Sequence, residues 1–399
     1  MRFVSRRRRL RALLLALWIL LCGTAGRASA QQSVTDVLTF LLTNRSIPTG
    51  DLVRDEQAAA ETRDIVARFL LLELATVPVS SSSGGFTYRL DPSLGTVVRS
   101  SDSFGPFFAE RSLTSGRNQA SVAVGYRTTT FQNIDGRNLR DGTLVSTASV
   151  LRGDPAPFDV ETVALRIRTH TMTVTGNYGV TDRLDIGGAV PFVRVSLQGQ
   201  RVDTYRGREL VQATGSASAS GLGDVVVRAK YNVLRDGGSG LAIAGEARLP
   251  TGSEADLLGT GGMSVTPRLI GSYEGDRVGI HGELGYSVRE LTDTFEYAAA
   301  VTVVAVPRVT IVGELSGLRL DGLGHLAETT QPHPGLVGVD TIRLSGVAQT
   351  TNRILAVAGV KWNIADTWLV TANVRRPLTE VGLNAGWVPT VTLDYSFGQ

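Results

Sequence analysis

From Asn118 to Phe397, apolar and polar residues alternate in about a dozen short runs. A period of two is that of a β-strand whose faces meet different surroundings. The clearest run sets Val278, Ile280, Leu284, Tyr286 and Val288 against Gly279, His281, Glu283, Gly285 and Ser287. The last sets Val391, Leu393, Tyr395 and Phe397 against Thr390, Thr392, Asp394 and Ser396. The pattern predicts strands at about 118–131, 160–178, 183–197, 221–234, 241–250, 263–273, 277–288, 296–306, 308–319, 352–363, 367–375 and 387–397. Pro191 and Pro267 fall inside two of them. Neither can donate to a ladder, so each predicts a bulge or kink.

The connections alternate. Short turns are expected at 180–182, 236–238, 274–276, 306–307 and 365–366, and long loops at 132–159, 198–220, 251–262, 289–295, 320–351 and 376–386. This is the asymmetry of an outer-membrane barrel, with short periplasmic turns and long outer loops. In hydrocarbon an unpaired backbone group costs several kcal/mol, so a sheet there must close on itself. Roughly 9–11 tilted residues span the bilayer, which matches these runs. The expected fold is therefore all-β, an antiparallel transmembrane β-barrel of about 12 strands over residues 118–399. An even count puts both barrel ends in the periplasm.

Residues 31–117 read differently. Val34, Val37, Leu38, Leu41 and Leu42 make one helical stripe, with Ser33 as N-cap and Pro48 and Gly50 as its stop. A second helix begins at Asp51, carries Thr62, Ile65, Val66, Phe69 and Leu70 on one face, and ends at Pro78. Ser80–Ser83 with Gly84 and Gly85 predicts a flexible linker, and 86–117 an irregular stretch with an apolar knot at Phe104–Phe108. The expectation is a short α-helical segment, periplasmic or plugging the barrel.

Composition places the chain outside the cytoplasm. Arg2, Arg6–Arg9 and Arg11, the apolar run Ala12–Leu21 and Ala28-Ser29-Ala30 predict a signal peptide over residues 1–30. That stretch holds seven arginines and no acid. Its removal leaves 33 basic against 37 acidic residues, so the high pI of the whole chain says nothing in favour of a nucleic-acid partner. Cys22, the one cysteine, leaves with it, so no disulfide or thiolate metal site is expected. No metal or other cofactor is expected.

With the apolar face toward lipid, the opposite face should line the lumen. This assigns Arg166, Arg168, His170, Arg228, Lys230, Glu246, Arg248, Arg268, His281, Glu283 and Glu314 to the lumen wall, either as a selecting constriction or as mutually neutralised charge. Tyr126, Tyr178, Tyr231, Tyr273, Tyr286, Trp362, Trp368 and Tyr395 are assigned to an interfacial aromatic girdle. The glycine-rich Gly221–Gly223 and Gly259–Gly262 lack the Lys-Ser/Thr of a phosphate loop. No Gly-x-Ser-x-Gly elbow is present, nor a His followed closely by Ser-Asn-Gly, so an enzyme is not expected.

The stretch Tyr178-Gly179-Val180-Thr181-Asp182-Arg183-Leu184-Asp185-Ile186 running to Pro191, with Gly221–Asp224, Leu249–Gly252 and Leu258–Gly261, resembles the bacterial outer-membrane family of the meta-pathway of phenol degradation. The likeness covers roughly 118–399. It implies passage of small hydrophobic or aromatic molecules by diffusion, in a barrel narrower than the porins. The expected partners are outer-membrane lipid, a small-molecule solute and, through the C-terminal strand, the barrel assembly machinery. That strand ends Phe397-Gly398-Gln399, two residues past the usual terminal aromatic. The alternative is an outer-membrane anchor presenting 31–117 to a periplasmic partner, with a lipid-modifying enzyme third.

Overall fold

The computed structural model describes residues 32–43, 52–75, 81–91, 96–99, 101 and 103–397, except 155, 238, 290–291, 323 and 334. The signal peptide, the helix stops at Pro48, Gly50 and Pro78, and the final Gly398-Gln399 lie outside the described residues. Helices α1 (Val34–Leu42) and α2 (Leu52–Ala75) precede a small antiparallel hairpin, β1 (Tyr88–Asp91) and β2 (Thr96–Arg99). Then come β3 (Ala120–Ile134), β4 (Arg137–Asn138), β5 (Leu144–Leu151), β6 (Pro157–Gly179), β7 (Leu184–Tyr205) and β8 (Arg208–Leu222). After these follow β9 (Val225–Asp236), β10 (Ser239–Leu249), β11 (Ser264–Glu274), β12 (Val278–Arg289), β13 (Thr294–Val306) and β14 (Val309–Leu320). The chain closes with β15 (His325–Pro332), β16 (Val339–Val347), β17 (Thr351–Ala365), β18 (Trp368–Pro377), β19 (Leu383–Ala385) and β20 (Val388–Phe397).

The wall is a closed antiparallel barrel of 12 strands. Its order is β3, β6, β7, β9 to β14 in sequence, β17, β18 and β20, and β20 pairs back onto β3. Three expected loops are themselves strand. Residues 132–159 contain β4 and β5, residues 198–220 hold the top of β7 and most of β8, and residues 320–351 contain β15 and β16. They prolong the wall on the long-loop side, β8 pairing with β7 and β5 bridging β6 to β16.

Neither proline bends its strand through a bulge. At Pro191, β7 changes neighbour. Ala189 pairs with Val226 of β9 and Phe192 with Leu222 of β8, so the missing N–H falls at the switch, while the Pro191 carbonyl accepts from Gly223 N–H at 2.8 Å. Pro267 pairs with Gly245 of β10, and the ladder to β12 is simply interrupted between Val265 and Arg268 without a register shift.

Two strands reverse their polarity along their length. On β6 the outward positions run Arg166, Arg168, His170, then Met172 and Tyr178, while the inward ones run Val163, Leu165, Ile167, then Thr169, Thr171 and Thr175. On β7 the outward series is Ile186 and Phe192, then Arg194 and Gln198; the inward one runs from Asp185 through Val193, Val195 and Leu197 to a buried Arg201 paired with Glu161 of β6. The reversal falls at the same height, since His170 pairs with Arg194. Below that line lipid requires an apolar exterior. Above it water permits a polar one, and the apolar side turns inward onto a helix. Arg166, Arg168 and His170 therefore do not line the lumen. They stand on the outer face, where His170 shares a 2.8 Å hydrogen bond with Tyr126.

The helices supply what the apolar inner wall packs against. Ser33 caps α1 in a reciprocal box with Asp36, and Val34, Val37, Leu38, Leu41 and Leu42 are all buried. Leu41 lies so close to Gly199 on β7 that a Cβ there would strike it. The α2 face of Thr62, Ile65, Val66, Phe69 and Leu70 is buried as well. Ile65 packs against Gly346 of β16, which again has no room for a side chain. These stripes join Leu165, Leu197, Leu326 and Leu344 in one apolar core inside the barrel's outer end.

Two substitutions separate the two outer zones. Leu284→Arg, in the exposed apolar belt, should cost about 2–4 kcal/mol in unfolding from lipid vesicles. Arg166→Leu, above the reversal, should stay within about 0.5 kcal/mol. Equal effects in denaturant titrations would refute the inversion.

Candidate functional site

The inner wall from β9 to β14 is charged, and so is what fills it. After α2 the chain passes into the lumen. Ser81–Ser83, expected as a linker, are instead buried, and Ser82 donates through its N–H and hydroxyl to Glu110 at 2.8 and 2.7 Å. Glu110 also meets Lys230 at 3.1 Å and Arg228 at 3.2 Å. Arg111, fully buried, donates to the carbonyls of Ser83 and Gly85 and pairs with Glu274 at 3.2 Å. Glu314 accepts the successive N–H groups of Phe107, Phe108 and Ala109. Lys361 donates to the carbonyls of Gly84 and Pro106 at 2.8 and 2.7 Å. Lower down, Ser112 donates its N–H to Ser272 and its carbonyl accepts from Asn232, while Ser115 donates to Asp185. Asn118 then meets Gly179 at the short-turn end. Residues 81–88 and 103–119 thus thread the lumen on either side of the β1–β2 hairpin, and wall side chains satisfy much of their backbone.

Several other lumen charges neutralise one another, most of them across strands. Arg268 sits 3.4 Å from Glu283 and 2.7 Å from Glu296; Arg289 also pairs with Glu296, and Arg248 with Glu246 at 3.5 Å. His281 is buried and shares a hydrogen bond with Ser272. Of the residues assigned to the lumen from sequence, Arg228, Lys230, Glu246, Arg248, Arg268, His281, Glu283 and Glu314 lie on this inner face. The three on β6 do not. Between this cluster and Phe108 lies a cavity of about 120 Å³, with Leu318, Leu355, Val357 and Arg375 on its far side. It has room for several waters or one small solute. Among the described residues no three His, Cys, Asp or Glu side chains are grouped to hold a metal.

The eight aromatic residues assigned to a girdle all expose their rings on the outer face. Tyr178, Tyr273, Trp362, Trp368 and Tyr395 stand near the short-turn end, and Trp368 packs on Tyr395 at 4.7 Å.

The family model described as "Putative MetA-pathway of phenol degradation" matches residues 112–316, just over half of the chain. The chain belongs to this family. A sequence search of curated proteins finds no match. Among solved structures, an outer-membrane channel from Pseudomonas putida F1 is 13% identical, with 70% of this chain and 95% of that one covered at a TM-score of 0.41. The deltaS2S3 variant of TodX, a monoaromatic hydrocarbon channel, is 10% identical, covering 71% and 91% at 0.35. A Pseudomonas aeruginosa FadL homologue is 11% identical, covering 81% and 99% at 0.34.

In this family member the sequence reading missed the plug's own charges, Glu73, Glu110 and Arg111, and their partners Glu274, Arg353, Lys361 and Arg375. The signal was present. Glu110-Arg111 follows an apolar knot, and Arg353, Lys361 and Arg375 share parity with buried wall positions. Glu73 of α2 pairs with Arg353 at 2.7 Å and with Arg375. Burial pushes its carboxyl up, but Arg375, Arg353 and Arg127 outweigh that and hold it down at about 2. Because this lies below the ordinary value of 4.5, its contribution to docking is full above pH 4.5 and fades as pH falls toward 2. The protection of α2 amides against hydrogen exchange, corrected for intrinsic rates, should therefore drop between pH 6 and pH 2, and drop less in Glu73→Gln. Unchanged protection in the native protein would contradict the pairing.

Proposed function

We propose that the chain is an outer-membrane channel that passes small hydrophobic or aromatic molecules by diffusion, with residues 81–88 and 103–119 as its internal gate. The carrying observation is the lumen occupied by the chain's own N-terminal segment, with a small cavity beside Phe108 that is part charged and part apolar. A wide aqueous pore is incompatible with that filling, and membership of a phenol-degradation family fits aromatic solutes. In this reading the chain is exported on a signal cleaved after Ala30, is folded by the assembly machinery through β20, and is held at the lipid interfaces by its outer aromatic rings. The eight inner-wall charges form the path's polar side. The alternative of helices displayed to a periplasmic partner is weakened, because the apolar stripes of both helices are already buried inside the barrel.

Planar bilayers and vesicles test this together. The full chain should show little ion conductance yet admit phenol into outer-membrane vesicles faster than vesicles lacking it. Deleting residues 32–110 should raise conductance, with heat-modifiable gel migration confirming a folded barrel. A folded deletion variant with no added conductance, together with unchanged phenol entry, would sink the proposal.

A further inference from the structure

Inside the outer half of the barrel, three guanidinium groups surround one carboxylate. Glu73 of α2 meets Arg353 of β17 and Arg375 of β18, and Arg127 of β3 acts on the same carboxylate by charge. Arg127 is 7% exposed, yet its Nε and Nη2 have no hydrogen-bond acceptor among the described residues. Arg353 Nε and Arg375 Nη1 are in the same state. So are the buried hydroxyls of Thr129, two residues along β3, and of Thr171, which stands opposite Arg127 in register. Buried guanidinium groups lacking acceptors are costly. Arg268, by contrast, sits between two carboxylates, Glu283 and Glu296, and Arg289, though its Nη1 lacks an acceptor, also pairs with Glu296. Here three positive charges face one negative one. Arg375 also forms part of the cavity wall, beside the apolar Phe108, Leu318, Leu355 and Val357. Donors without acceptors thus adjoin a small space that is apolar on this side and charged on the other.

We propose that Arg127, Arg353 and Arg375 form a binding site for the carboxylate of a small amphipathic acid, aromatic or short-chain alkyl, whose apolar body lies in the adjoining cavity. Glu73 is the chain's own occupant of that site. A carboxylate arriving from the lumen competes with Glu73 for the same donors and loosens α2 from the wall. This refines the channel reading, on which the transport consequence rests, while the binding itself does not depend on transport.

Calorimetry on the purified protein in detergent, with benzoate, benzyl alcohol and inorganic phosphate as probes, tests it. Benzoate should bind, and benzyl alcohol at least about tenfold more weakly. Glu73→Gln should raise benzoate affinity about tenfold by removing the competitor, and Arg127→Gln should lower it by a similar factor. Equal binding of benzoate and benzyl alcohol would overturn the proposal, as would phosphate binding as tightly as benzoate, or a weaker benzoate affinity in a folded Glu73→Gln protein. The comparison of probes on the native protein stands even where a variant fails to fold. Loss of phenol entry with benzoate binding intact would sink the channel reading and leave this site standing.

Discussion

A buried charge must have a partner, and that requirement organises this molecule. Hydrocarbon around the belt forces the polar side chains of twelve strands into the lumen. Such a narrow cylinder holds little bulk water, and the residual penalty of an unpaired ion is several kcal/mol. The wall solves part of this itself, through Arg268, Glu283 and Glu296. Much of the rest is solved by the plug. Glu110 answers Arg228 and Lys230, the carbonyls of Gly84 and Pro106 answer Lys361, and three N–H groups answer Glu314. The irregular path of residues 81–119 follows from this. Apart from the β1–β2 hairpin, its backbone is aimed at wall side chains and forms no helix or sheet among the described residues.

The same logic explains why the barrel has two zones. Lipid-depth wall is polar inside and apolar outside. Above His170 and Arg194 both faces exchange roles, and α1 and α2 occupy the interior as an ordinary apolar core. The helices and the charged plug are thus consecutive stretches of one chain, each matched to the chemistry of the wall at its own height. Glu73, on α2, carries the single carboxylate among the arginines near the boundary between the zones.

Much of the wall was legible because period-two alternation survives in a lone sequence. Most predicted strand ends fall within a few residues of the observed ones, as with 277–288 against Val278–Arg289, and both helical stripes were readable from i, i+3, i+4 spacing. The Arg166 set was misplaced for a definite reason. Alternation says which residues share a face, and what covers that face decides whether it points to water, lipid or lumen. The covering α1 helix is more than a hundred residues away in sequence. The strands within 132–159, 198–220 and 320–351 were hidden by weak alternation rich in Ser, Thr and Gly. Ser81–Ser83 have the composition of a linker, and only their contacts with Glu110 and Lys230 make them part of a packed interior. The Glu73 pairing joins residues about 300 positions apart, and nothing local announces it.

The central claim is that residues 81–88 and 103–119 lie inside the lumen with polar groups on the wall. Ser112 donates its N–H to Ser272 across 160 residues of sequence, at 2.8 Å. The most direct measurement is disulfide formation in a Ser112→Cys/Ser272→Cys protein that lacks Cys22, read by non-reducing gel. The account predicts nearly complete cross-linking in the folded barrel. Two free thiols that both react with a bulky, membrane-impermeant maleimide would contradict it.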